Sequence, residues 1–428
     1  MASGMGGAGV GSLGSGGNSG GGTGGVAAAG SSNGGAMPGG SANGGTMPGG
    51  SANGGTMPGG SANGGAPAGG SSAGSPLGGS SNGGDSMGGS PGGAGSAGTV
   101  SGGAGGSAGA IGMGGSGPTG TTFRVSGRKL YDRCGEEVVL RGVNEMIVWS
   151  DGKDGAPEFA EIAKTGANAV RIVWTDEGSA AELDRAIENA VAQKLIPMPE
   201  HHAATGDLSK IPNVVDYWTR SDVVTVLKRH EEYLLLNIAN EAGASVMRSD
   251  FENTYRTAIT RIRETGVKMP LVIDGPQWGQ DIDMLQSAGP TLIQHDPEKN
   301  LLFSVHMWWS DANGNRVTSE LDQSVEMNLP LIVGEFAQHA VAGCSDAPFA
   351  YRTLLAEAQR HRIGWLAWSW GSVPNSDCSG QGSFDMTVGG VFGNWEETWG
   401  SDVAVDDQNS IQRTSVRPAS MVNGSCSP

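Results

Sequence analysis

Eight short apolar runs, separated by amphipathic stretches, set the strongest limit on what this 428-residue chain can fold into. They are VLRGVNE (139–145), NAVRIVW (168–174), KLIPMPEHH (194–202), YLLLNIANE (233–241), PLVIDG (270–275), LLFSVHMW (301–308), PLIVGEF (330–336) and GWLAWSW (364–370). Each has the length of a strand and is largely apolar rather than alternating, as expected of a strand covered on both faces. The segments between them, such as PEFAEIAKTG, SAAELDRAIENAVAQ and FENTYRTAITRIRETG, place apolar residues at three- and four-residue spacing, which predicts helices. Ser179 with Glu182, and Ser249 with Glu252, have the form of capping boxes. Alternating strands and helices imply a parallel sheet, and eight units are the number that closes a (β/α)8 TIM barrel. An open doubly wound sheet is the alternative; it would usually carry a glycine-rich phosphate turn after its first strand, and RGVNEM has none. Ahead of the barrel, FRVSGRKLYDRCGEEVVLRG (123–142) reads as a β-hairpin: two alternating runs around a polar turn.

The first 120 residues are of another kind. They hold 51 of the 76 glycines, no aromatic residue, and Asp85 as their only charge. A ten-residue unit, SANGGTMPGG and its variants, repeats over 31–70 without an apolar face to stack. Such a segment cannot offset the entropy of ordering its backbone. Residues 1–120 are therefore expected to be a disordered Gly/Ser-rich linker, spanning roughly 60 Å as a random coil. Residues 121–428 form the expected catalytic domain, with enough chain for one large core. The net charge of −17 argues against nucleic-acid binding, which needs clustered Lys and Arg, and suits a neutral partner such as a polysaccharide. No run is long and apolar enough to span a membrane. The N-terminus lacks the basic region and apolar run of a signal peptide, whereas an even count of four cysteines beside a Gly/Ser tether points to an oxidising, extracellular or cell-surface location. Cys344 and Cys378, in loops after neighbouring strands, are expected to pair, leaving Cys134 with Cys426. A monomer is expected.

Active sites of such barrels lie at the carboxyl ends of the strands. In order, those ends carry Asn144 and Glu145 with Trp149 beyond; Arg171 and Trp174; Glu200, His201 and His202; Asn240 and Glu241; Trp278; His306, Trp308 and Trp309; Glu335; and Trp368 and Trp370. Glu241 and Glu335 end the fourth and seventh strands, on opposite sides of an eight-stranded ring. Two carboxylates facing across a cleft are the equipment of glycoside hydrolysis, one protonating the leaving oxygen while the other attacks or activates water. Tryptophans at five strand ends offer flat apolar area to sugar rings, although any single one is more often core filling. Trp218 and Trp365 are assigned to packing. The two adjacent histidines could hold a metal, but a metal-dependent barrel usually shows His-x-His after its first strand, where this chain has Asn144. No metal and no cofactor is expected.

LRGVN, IAKTGANAVRIV, EHHAATG, NIANE, QWGQ, FSVHM, LIVGEF and GWLAWSW together resemble glycoside hydrolase family 5, and within it the bacterial endo-β-1,4-mannanases, over 121–415. The resemblance implies a retaining enzyme with Glu241 as general acid/base and Glu335 as nucleophile. It implies that Asn240 holds the substrate 2-hydroxyl and that Arg171 keeps the nucleophile ionised. His202 and His306 would line the catalytic subsite, Trp368 would floor it, and Trp278 would make a further contact. Trp308 stands where the family usually has a tyrosine that donates to the nucleophile, Ala242 follows the acid/base where Pro or Trp is usual, and NEMIVW lacks the histidines expected before Trp149. These departures touch substrate specificity more than the catalytic pair. A cellulase or xyloglucanase of the same fold, and a non-catalytic carbohydrate-binding protein on this scaffold, remain the alternatives.

Overall fold

The computed structural model describes residues 117–340, 347–373 and 384–426. Eight parallel strands close into a barrel: β4 (Arg141–Glu145), β5 (Ala169–Trp174), β6 (Ile196–His201), β7 (Leu236–Asn237), β8 (Leu271–Asp274), β9 (Leu301–His306), β10 (Leu331–Glu335) and β11 (Gly364–Ala367). They pair in chain order, and β11 pairs with β4 to complete the ring. Helices α1 (Ala156–Ala163), α2 (Ala180–Ala192), α3 (Ile211–Trp218), α4 (Ser221–Arg229), α5 (Arg248–Glu264), α6 (Ile282–His295), α7 (Asn315–Glu326) and α8 (Tyr351–His361) connect successive strands, with α3 and α4 both between β6 and β7. The (β/α)8 architecture is thus the one that the apolar runs require.

Local signals explain most elements. In α2, the Ser179 side chain accepts from the Glu182 amide and Glu182 reaches back to Ser179, while Leu183, Ala186, Ile187 and Ala190 bury one face. The second expected capping box does not form. Helix α5 begins two residues earlier, at Arg248 behind Met247, so Ser249 lies inside it and Glu252 instead accepts from Arg248 one turn away. Strands β7 and β11 are shorter than their apolar runs, because the chain leaves regular pairing as it rises to the mouth. Individual bonds persist there, from Asn240 N–H to His201 O at 3.0 Å and from Trp370 N–H to Asn144 O at 2.9 Å.

The expected hairpin is a three-stranded antiparallel sheet, β1 (Arg124–Ser126), β2 (Lys129–Tyr131) and β3 (Glu137–Val138). Gly127-Arg128 makes a two-residue turn of its own between Ser126 and Lys129, with Gly127 at φ 58°, a left-handed conformation that suits glycine. This sheet caps one end of the barrel. Phe123, Leu130 and Val138 pack with Ala169, Ile196, Leu235, Val272, Leu302, Ile332 and Leu366 from the strands. Cys134, in the β2–β3 turn, is bonded to Cys426. Closing so long a loop restricts the unfolded chain and stabilises the fold by about 2–4 kcal/mol. Cys344 and Cys378 lie outside the described residues, as does the expected linker up to residue 116. Among the described residues no helix is long and apolar enough to cross a membrane.

Candidate active site

The strand ends converge on one buried cation. Arg171, near the middle of β5, is inaccessible to solvent and directs all its nitrogens toward the mouth. Its Nε donates to Asn237 (2.8 Å), one terminal nitrogen to Glu335 Oε1 (2.7 Å) and Asn144 (3.0 Å), and the other to Asn240 (2.7 Å) and Asp274 (3.1 Å). Burial alone would disfavour the guanidinium charge, but Glu200, Asp274 and Glu335 outweigh it and fix the cation. A buried charge persists only when paired and hydrogen-bonded in this way.

Glu335 and Glu241 meet at this centre. One oxygen of each and a ring nitrogen of His306 lie within 4.8 Å of one another. Glu335 Oε1 takes the Arg171 bond, while Oε2 accepts from the Trp308 indole N–H at 3.2 Å and faces His306 Nδ1 at 3.3 Å. Burial opposes its ionisation, yet His306, Arg171 and His202 prevail and hold its pKa at about 2. Glu241 stands otherwise. Its Oε1 lies 2.7 Å from His306 Nδ1, and burial followed by repulsion from Glu335 raises its pKa. The environment therefore pushes the pKa values of two chemically identical side chains apart, the kind of separation that glycoside cleavage uses. Glu241 also sits at φ 45°, a left-handed conformation uncommon for a residue with a side chain. Its amide donates to Asp274 (3.2 Å) and its carbonyl accepts from Gly206 (2.9 Å), which hold it there.

His306 bridges the pair. Its Nε2 faces Asp274 at 3.4 Å. Burial works against its charge, but Glu335, Asp274 and Glu241 raise its pKa to about 10. The three atoms of Glu241, His306 and Glu335 also have the spacing of metal ligands. A protonated imidazole and the Arg171 guanidinium on Glu335 both oppose a cation there.

Around the pair, His202 Nδ1 is bonded to Glu200 at 2.8 Å, and its ring stacks on Trp368 with centroids 6.1 Å apart. The Trp149 ring lies roughly perpendicular to that of His202, with centroids 5.9 Å apart. Trp149 and Trp278 are 43% and 48% exposed, and both remain available to a ligand. Trp174 and Trp370 are corrections: each is fully buried. The Trp174 indole donates to Tyr217 Oη (2.6 Å) and that of Trp370 to Gly390 O (2.8 Å), so neither presents a face to the cleft. Trp308 is nearly buried as well, and its indole N–H is taken up by Glu335. Asp274 and Asn237 were not among the expected site residues. Asp274 closes the apolar run PLVID, as Glu241 and Glu335 close theirs, and that signal was available.

The sequence model for cellulases of glycosyl hydrolase family 5 matches residues 131–373. A mannan endo-1,4-beta-mannosidase of Cellvibrio japonicus is 33% identical over 317 residues, 71% of this chain and 70% of the relative. Another, from Salipaludibacillus agaradhaerens, is 34% identical over 257 residues, 58% of this chain and 81% of the relative. The crystal structure of a β-mannanase from Streptomyces thermolilacinus with mannohexaose superposes with a TM-score of 0.63 at 29% identity, covering 70% of this chain and 98% of that one. The chain belongs to glycoside hydrolase family 5, a family of O-glycosyl hydrolases.

Proposed function

We propose that the protein is an endo-β-1,4-mannanase that cleaves with retention of anomeric configuration, acting outside the cytoplasm. The observation that carries the mechanism is the close approach of the Glu241 and Glu335 carboxylates, within 4.8 Å. Retaining enzymes hold their carboxyl groups about 5 Å apart, whereas inverting ones leave room for a water between them. The ionised Glu335 attacks the anomeric carbon while Glu241 passes its proton to the departing glycosidic oxygen. In the second half, Glu241 takes a proton from water, the oxygen attacks the glycosyl-enzyme, and Glu335 is released. Arg171 and the Trp308 indole keep the attacking carboxylate charged and oriented, and Asn240 stands ready for the 2-hydroxyl.

Mannan rather than another β-1,4-glycan is supported by the two mannosidase relatives and by the β-mannanase structure. The Cys134–Cys426 bond supports a compartment that keeps disulfides oxidised. The test is a panel of mannan, glucomannan, carboxymethylcellulose and xyloglucan, with the anomer of the first product read by NMR. Cleavage of mannan ahead of the glucans, with a β-product, is expected. An α-product would overturn the double displacement. Equal turnover of all four would overturn the specificity. Glu335→Ala should abolish hydrolysis, and wild-type turnover by it would end the assignment.

A further inference from the structure

The loop after β6 wraps around the segment that ends the fourth barrel strand. Thr205 pairs with Ala242 in an antiparallel bridge, and the Gly206 amide donates to Glu241 O at 2.9 Å. Resting on the reading of the protein as a retaining glycosidase whose Asn240 meets the substrate 2-hydroxyl, we propose that Thr205 is a positioning residue. Its hydroxyl fixes the Asn240 amide so that an N–H, and not the carbonyl, is presented to that 2-hydroxyl.

The bonds around Asn240 decide its orientation. Arg171 can only donate, and one of its terminal nitrogens lies 2.7 Å from Asn240 Oδ1. The carbonyl is therefore turned toward the guanidinium. Nδ2 points elsewhere and donates to Thr205 Oγ1 at 2.9 Å. Thr205 is left to accept because its own proton goes to His202 O, also at 2.9 Å. A side-chain amide nitrogen carries two donors. Thr205 takes one of them, and the other is left for substrate.

Donor and acceptor ride on one unit. The bridge to Ala242 and the bond from Gly206 to the Glu241 carbonyl tie the Thr205 backbone to the segment that carries Asn240. The Asn240 N–H is held in turn by His201 O at 3.0 Å. The amide is thus set before substrate arrives, and a donor aimed in advance needs no reorganisation at the moment of reaction. Hydrogen bonds to the 2-hydroxyl strengthen in the transition state of glycoside cleavage, so a loosened Asn240 should be felt in the rate.

The experiment measures kcat/KM of the full chain on 4-nitrophenyl β-mannobioside and on the same compound lacking the 2-hydroxyl of the reacting ring. Thr205→Val removes the acceptor at nearly constant volume. It should lower kcat/KM on the first substrate by about tenfold and leave the 2-deoxy compound nearly unchanged. Thr205→Ser keeps the hydroxyl and should restore turnover of the first substrate. Damage to the loop, or to Glu241 through Gly206, would lower both substrates alike, and that result overturns the proposal. Undiminished activity of Thr205→Val on both overturns it as well. If Thr205→Val does not fold, Thr205→Ala is held to the same comparison. If the unaltered chain leaves the mannobioside intact, the mannan reading fails separately. The positioning is then judged in the same way on 4-nitrophenyl β-cellobioside and its 2-deoxy analogue.

Discussion

Two arginines, both without solvent exposure, sit on adjacent strands, Arg141 at the start of β4 and Arg171 nearer the mouth, within β5. Arg141 begins β4. Its donors go to Leu140 O, Ile363 O, the Gln359 amide and the Thr414 hydroxyl, and its guanidinium lies over Trp365 at 5.3 Å. Burial, with Arg362 nearby, lowers its pKa to about 9. Arg171, toward the mouth on β5, is instead gathered in by carboxylates that raise its pKa. The same side chain serves as a clamp held by neutral acceptors at one position and as the organiser of negative charge at the other. The difference teaches where a barrel concentrates unfavourable electrostatics: the carboxylates that are expensive to bury are collected at the pole that meets substrate.

This contrast can be broken by substitution. Arg171→Met should be the most damaging, because it leaves Glu335, Asp274 and Glu200 buried without their cation. A loss of about 3–5 kcal/mol in denaturant unfolding is expected, together with turnover too low to measure in whatever fraction folds. Retained activity would dissolve the distinction between the two arginines. Glu241→Gln should lower kcat on mannan by about 10²–10⁴-fold, and less on aryl glycosides whose leaving group needs no proton. Trp308→Phe removes one donor to an ionised carboxylate and should cost about 1.5–3 kcal/mol of its stabilisation. Its acid limb should move to higher pH, since Glu335 then protonates more readily; an unmoved limb would show that the indole bond is idle. Arg141→Met should lower stability by about 1–3 kcal/mol yet leave kcat per folded molecule unchanged. A fall in kcat there would mean that the two arginines are coupled.

The pH profile follows from the same charges. Catalysis needs Glu335 ionised and Glu241 protonated. With Glu335 held at about 2, below its ordinary 4.5, the acid limb should lie low. With Glu241 raised, the alkaline limb should fall above the usual carboxylate range. Stability carries signs of its own. The contribution of Glu335 is present above about 4.5 and is lost as pH falls toward about 2. That of His306, raised from 6.5 to about 10, is present below about 6.5 and is lost as pH rises through about 10.

Much of this was legible in the amino-acid sequence, for a physical reason. Strands covered on both faces are written as continuous apolar runs, so the polar residues that end them stand out, and Glu241, Glu335, Arg171 and His306 were found that way. Sidedness was less legible. Trp174 and Trp370 also stand at strand ends, but whether an indole turns into the cleft or behind it depends on partners distant in the chain, Tyr217 and Gly390. Asp274 was passed over because a single aspartate before a turn looks like ordinary loop chemistry. The third strand of the cap was missed because the two-residue turn at Gly127-Arg128 was outweighed by the longer polar loop nearby.

The indole that reaches Glu335 has a consequence for alkaline conditions. A phenol in that place would itself lose a proton at high pH and set a second negative charge against the carboxylate. Nε1–H has no such transition in water, so the nucleophile keeps this donor however basic the medium becomes. The high-pH decline is thereby left to groups other than residue 308.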